Sequence, residues 1–278
     1  MALYCDVIAL TASTTANTDG TAGNITMNSA ARRVLYFGAQ LADATLTAAE
    51  GRSGVVNVTG PGIDNAPFRF PSGYEQGATL AGEDSSTSDA VWYPVDIPTS
   101  PNAVYSFSTR NTASTAAELV NAYAIYSDGE GHPQVSGVWE SHGLRGPAKY
   151  MVAPDPTSIT ATTETALTAI TVPGNASQVL GFTVAGATNG VKTTAEEFSA
   201  RARWTATGVR GQFEPSQIWP VLGTLSAGAG TIIDSSPFSV EFYPVSWAVQ
   251  PNSTMTANVT LRTAVTNATA FRAFVAFR

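Results

Sequence analysis

The sequence predicts an all-β protein built from two tandem, duplicated β-sandwich domains of jelly-roll type. Three observations predict it. First, the chain repeats itself. Val91–Ile97, Ser100–Asn102, Ala103–Thr109 and Asn121–Tyr126 recur in order as Val240–Trp247, Gln250–Asn252, Thr254–Arg262 and Arg272–Phe277, at a shift of about 150 residues. Second, only 13% of residues are charged, while Thr, Ala, Ser, Gly and Val dominate, the profile of strands and turns. Third, each copy holds about eight short strand-like runs in roughly 125 residues, the strand number of a jelly roll. An immunoglobulin-like sandwich, with about seven strands in about 100 residues, is the alternative.

In the first copy, Leu3–Leu10 reads as a strand, followed by a polar Gly- and Thr-rich stretch. Ile25–Met27 is a short strand. Val34–Leu41 is a continuous apolar run bounded by turn residues, which suits a strand buried on both faces. Thr47–Glu50 fits a capping box and predicts a brief helical turn. Val55–Thr59 follows as a strand that Gly60–Gly62 stops, and Phe68–Phe70 is a further short segment. Pro94 falls inside the strand Val91–Ile97. Proline cannot donate to a ladder, so it marks a strand end, an edge or a bulge.

The second copy begins near Pro156. Ile170–Ala185 echoes Ile25–Ala39, with Val179, Leu180 and Phe182 on Val34, Leu35 and Phe37. The capping box recurs at Thr194–Glu197, then the strand Phe198–Ala206, and Pro244 takes the place of Pro94. Side-chain parity agrees between the copies. Met255, Ala257, Val259 and Leu261 share one face, as do Tyr105, Phe107 and Thr109. The expected domains are therefore 1–127 and 156–278, joined by a Gly/Pro-rich connector, 128–155.

Chemistry is sparse. The net charge is −7, and lysine occurs only at Lys149 and Lys192, so no basic stripe offers direct nucleic-acid binding. The single cysteine, Cys5, permits no intrachain disulfide and is expected in the core rather than as a nucleophile. The N-terminal residues lack the basic region of a signal peptide, and no window approaches the roughly 18 apolar residues of a membrane span. The N-x-S/T triplets, such as Asn24 and Asn57, are frequent by chance in a Thr-rich chain.

The connector holds both histidines. His132 and His142, with Asp128, Glu130 and Glu140, match no tight metal spacing, and a solvated linker with Trp139 packed between domains is the simpler reading. No G-x-S-x-G elbow, P-loop or G-x-G-x-x-G appears. Glu196, Glu197, Glu214 and Glu241 could supply a glycanase pair only by meeting in three dimensions. Trp92, Trp204, Trp219 and Trp247 could line a sugar platform but are expected in the core. The expectation is no catalytic, metal or cofactor residue, no cofactor, and no enzymatic activity.

Two jelly rolls in series, in a chain this short, acidic and cysteine-poor, look like the double-jelly-roll major capsid proteins of icosahedral viruses. The resemblance covers nearly the whole chain as architecture and carries no diagnostic motif. It implies a virion protein made in the host cytoplasm and forming a homotrimer within a larger shell beside other virion proteins. An internal membrane is common in that family, though the chain itself has no span. The loops here are shorter than is usual in the family. A decoration, spike or tail-associated protein and a tandem carbohydrate-binding module are the alternatives.

Overall fold

A computed structural model describes residues 2–13, 15, 17–41, 51–63, 68–76, 90–111, 119–129, 144, 146–160, 162–188, 200–210, 218–221, 227–228, 231–232, 242–262, 264 and 269–278. Among them there is no helix, and the strands form antiparallel sheets. Both capping boxes, Thr47–Glu50 and Thr194–Glu197, lie outside the described residues.

The first half contributes β1 (Leu3–Thr11), β2 (Gly23–Thr26), β3 (Arg33–Leu41), β4 (Gly51–Thr59), β5 (Phe68–Gln76), β6 (Val91–Pro98), β7 (Val104–Asn111) and β8 (Leu119–Ser127). They pair as two sheets with orders β1-β8-β3-β6 and β2-β7-β4-β5. The two sheets interleave strands from both ends of the segment, which is the double Greek key of a jelly roll. Phe37 sits at the centre of the core. Its ring lies 5.7 Å from Phe68, 5.9 Å from Tyr105 and 5.7 Å from Phe107.

The second half contributes β9 (Tyr150–Val152), β10 (Thr157–Ile159), β11 (Thr165–Ala166), β12 (Ile170–Thr171), β13 (Gln178–Thr188), β14 (Ala200–Ala206), β15 (Val209–Arg210), β16 (Ile218–Val221), β17 (Ala227–Gly228), β18 (Thr231–Ile232), β19 (Tyr243–Val249), β20 (Thr254–Leu261) and β21 (Thr269–Phe277). One sheet runs β10-β21-β13-β19-β15, with β9 also on β21. The other runs β11-β20-β14-β16, with β12 also on β20. Replacing β1, β8, β3 and β6 by β10, β21, β13 and β19 reproduces the first order; β2, β7, β4 and β5 map likewise onto β12, β20, β14 and β16. The repeat read in the sequence is thus a repeat of topology.

Local details repeat as well. The register of β3 against β6 shifts between Val34 and Tyr36, where Tyr36 faces Pro94. That of β13 against β19 shifts between Val179 and Gly181, where Gly181 faces Pro244. Each proline therefore sits opposite a bulge, as its missing N–H requires. The Pro-Asn turns also match: Asn102 (φ 59°) and Asn252 (φ 60°) are both left-handed, a conformation asparagine tolerates better than most residues. β20 alternates perfectly, with Met255, Ala257, Val259 and Leu261 buried.

Between the halves, β4 meets β13 and β5 meets β9. Along β21, Phe271, Ala273, Val275 and Phe277 enter the second core, whereas Phe274 and Ala276 join the first. Leu180, Phe242, Met151 and Ala153 join the first core too. The strand is buried on both faces, which explains why it is apolar on both sides apart from Arg272.

Candidate functional site

Few of the residues with chemical potential in the sequence meet in the structure. His132, His142, Glu130, Glu140, Trp139, Glu196, Glu197, Glu214 and Glu241 lie outside the described residues. Asp128 accepts a hydrogen bond from the Ala2 amide at 2.7 Å, fastening the start of β1. Among the described residues, no three His, Cys, Asp or Glu gather in a metal-holding group. Cys5 corrects the sequence reading: it is exposed, not core. It shares its face of β1 with Leu3 and Val7, whereas Leu10 and Ile8 point inward. Burial, then the neighbouring Asp6 charge, raise its thiol pKa, which disfavours the thiolate.

The tryptophans do not form a row. Trp204 is buried in the second core, 4.9 Å from Phe182, and Trp247 stacks on the other side of that core at 5.5 Å from the same ring. Trp219 lies in β16, with its side chain outside the described residues. Among the described tryptophan side chains, Trp92 alone lies on an outer face. It covers Gly38, where an added Cβ would meet the indole at 2.5 Å, and its ring is 5.2 Å from Tyr123.

The densest charged cluster lies at the seam between the two halves. Arg110 of β7 chelates Asp19, Nε donating to Oδ1 at 2.8 Å and Nη2 to Oδ2 at 2.7 Å. The Asn57 amide donates to the same carboxylate. Arg110 also lies 3.6 Å from Asp155. From the first half, Arg69 donates to the Ala153 carbonyl at 3.1 Å. From the second, Arg272 donates to the Pro154 carbonyl at 2.8 Å and to Asn17 Oδ1 at 2.7 Å. Three guanidinium groups thus grip Ala153, Pro154 and Asp155, the segment that enters the second sandwich.

Electrostatics follow from this packing. Burial alone would raise the Asp19 carboxyl. The Arg110 hydrogen bonds and charge, helped by Arg69 and Asn57, outweigh it and hold the carboxyl below its ordinary range. Arg272 is fully buried, and burial, then the like charge of Arg110, bring its pKa down to about 9. It remains a cation at neutral pH. Chemically, the cluster is a clamp: its hydrogen bonds go to carbonyls, an amide oxygen and carboxylates, and Arg69 Nε is buried without a partner among the described residues. Sequence reasoning missed it. The signal was Arg272 standing inside an otherwise apolar strand, a position that requires a buried partner.

A second polar site lies on the exposed face of the other sheet. Glu164 takes a two-nitrogen grip from Arg203, and nearby Thr162, Ala200, Arg201, Thr260, Leu261 and Arg262 line an open pocket of about 480 Å³. The Glu164–Arg203 pair stands where Asp19 stands against sheet β2-β7-β4-β5. In each copy, the carboxylate comes from the segment after the first strand.

No protein-family model matches the chain, and no curated protein matches it. Solved structures do align with it. PNGF-II is 9% identical with a TM-score of 0.41; the alignment covers 98% of this chain, which spans 65% of the length of PNGF-II. PNGase F, a glycosylasparaginase from Flavobacterium meningosepticum, is 12% identical with a TM-score of 0.39, covering 98% of this chain and 96% of that one. The Broad Bean Stain Virus structure is 8% identical with a TM-score of 0.32, covering 98% and 87%. The expectation that the chain is not an enzyme is overturned here, because structures aligned with nearly all of it include a glycosylasparaginase. Likeness at this level assigns this chain neither the activity of the one nor the assembly of the other.

Proposed function

We propose that this chain is a structural protein of a virus particle, a coat subunit that assembles with copies of itself into a shell. The observation that carries this reading is the seam. Two jelly rolls, proposed as 1–127 and 156–278 with 128–155 between them, are locked face to face by a shared core and an arginine clamp. The result is one block with a core shared across the seam. A shell subunit needs such a block, because small rotations within a subunit would accumulate across a closed lattice. The half-buried polar row of Thr254, Thr256, Asn258 and Thr260 on the outer side of β20 suits wide polar contacts that need no single dominant patch. Jelly rolls are a recurrent coat fold, and the step from fold to role is one of analogy.

The proposed partners are copies of this chain, as a homotrimer within the shell, and other virion proteins; the proposed location is the virion. Light scattering and electron micrographs of the full-length protein test the reading. Regular oligomers that grow into closed particles are expected, and a monodisperse monomer at high concentration overturns it. Copy number in purified particles separates coat from decoration: a coat protein dominates particle mass.

A further inference from the structure

The pocket beside Glu164 has an occupied counterpart in the first repeat. Arg110 and Thr260 lie equally far along their strands from the left-handed asparagines Asn102 and Asn252. Val55 stands opposite Arg110, and Arg201 stands opposite Thr260. The place of Arg110 and Val55 on β7 and β4 is therefore the place of Thr260 and Arg201 on β20 and β14. Asn57 and Arg203 are equivalent by the same register, and they donate to the carboxylates Asp19 and Glu164. The first repeat holds a second carboxylate here. Asp155 lies 3.6 Å from Arg110, and the carbonyls just before it, those of Ala153 and Pro154, accept from Arg69 and Arg272. A stretch of chain ending in an aspartate is thus what this place binds in the first repeat.

In the second repeat the same place is a concavity of about 480 Å³, lined among the described residues by Thr162, Ala200, Arg201, Thr260, Leu261 and Arg262. The alternation of β20 puts Arg262 on the side of Thr260, so Arg201 and Arg262 are diagonal neighbours on one face. Both are exposed. Arg203 is taken by Glu164, but neither Arg201 nor Arg262 has a side-chain hydrogen bond or ion pair among the described residues. Three guanidinium groups therefore gather about one carboxylate, in a chain whose net charge is −7. Two like charges on one concave wall repel unless an anion lies between them.

We infer that this pocket is a binding site for a carboxylate, presented as an aspartate or glutamate side chain on an acidic peptide segment of another molecule. Arg201 and Arg262 donate to the two carboxylate oxygens, a charge-assisted pairing for which the planar guanidinium is suited. The hydroxyls of Thr162 and Thr260 supply further donors, and Ala200 and Leu261 give the pocket an apolar wall. The site reproduces with a separate ligand what the seam does with the chain's own Ala153–Asp155. It goes beyond the coat reading and does not depend on it.

The test is titration calorimetry on the full chain with three probes: the peptide acetyl-Val-Ala-Pro-Asp-Pro-Thr-amide, which copies the seam segment, the same peptide with asparagine for aspartate, and inorganic phosphate. The aspartate peptide is expected to bind at least about tenfold more tightly than the asparagine one. Arg201→Gln and Arg262→Gln are at exposed positions, and their melting temperatures are expected to match the parent's. Each is expected to weaken the aspartate peptide by at least about tenfold, whereas Arg210→Gln on β15 binds it as the parent does. Equal binding of the two peptides overturns the inference, and so does parent-like binding by the Arg201→Gln, Arg262→Gln double variant, which would place the peptide elsewhere, such as at the seam. Phosphate binding that needs both arginines, with no peptide bound, makes the ligand a different oxyanion and overturns the peptide assignment. A parent that binds none of the probes overturns it as well.

Discussion

At the scale of single residues, Phe37 and the Asp19–Arg110 pair do different work. Phe37 fills the centre of the first core and is surrounded by rings. Phe37→Ala is expected to cost about 3–5 kcal/mol in urea unfolding, the transfer loss plus an unfilled cavity. Asp19 supports the seam through charge. Its carboxyl is held below the ordinary range, so its contribution is present above the unfolded pKa of about 3.9 and is lost as pH falls through the lower folded value. The difference in melting temperature between the parent and Asp19→Asn is expected to be constant above about pH 5 and to vanish under stronger acid. A difference that instead persists at the acid end would show that the carboxylate charge is not what the clamp uses.

Elements explain what single residues cannot. The turns before β7 and β20 are the same turn made twice, with Asn102 and Asn252 at φ near 60°. Asn102→Ala and Asn252→Ala are each expected to cost about 1–2 kcal/mol, and the glycine variants close to nothing, because the penalty is the clash of Cβ in a left-handed conformation. Equal losses at the two sites in denaturation experiments would confirm the equivalence of the copies; a loss at one alone would contradict it. On β3, Gly38→Ala places a methyl group into the Trp92 ring and is expected to displace the indole, read as a changed near-ultraviolet dichroism with a loss of about 1–3 kcal/mol.

For the whole molecule, the continuous core across the seam makes the two jelly rolls one cooperative unit. Thermal unfolding is expected as a single calorimetric transition whose calorimetric and van't Hoff enthalpies agree. Two resolved transitions would mean that the seam contributes little. Expressed alone, residues 144–278 leave Phe274, Leu180 and Phe242 without cover, and aggregation is expected at concentrations where the intact chain stays dispersed.

Much of this was legible in the residues because it is local. Strand parity placed Met255, Ala257 and Val259 inward, and the prolines at 94 and 244 marked a strand end, an edge or a bulge, of which the structure shows the bulge. The order of segments, read twice, determined a duplicated all-β chain. Parity names two faces of a strand, yet it does not say which is inside when both are apolar. Leu3, Cys5 and Val7 compete with Tyr4, Ile8 and Leu10 on β1, and so Cys5 was misplaced. Only the tertiary structure decided which outer sheet face is buried against the other sandwich, and that Arg272 holds Asn17 across 255 positions of chain. The physical reason is range: turn and pleat preferences act between neighbours, whereas burial of an outer face depends on which distant surface arrives to exclude water from it.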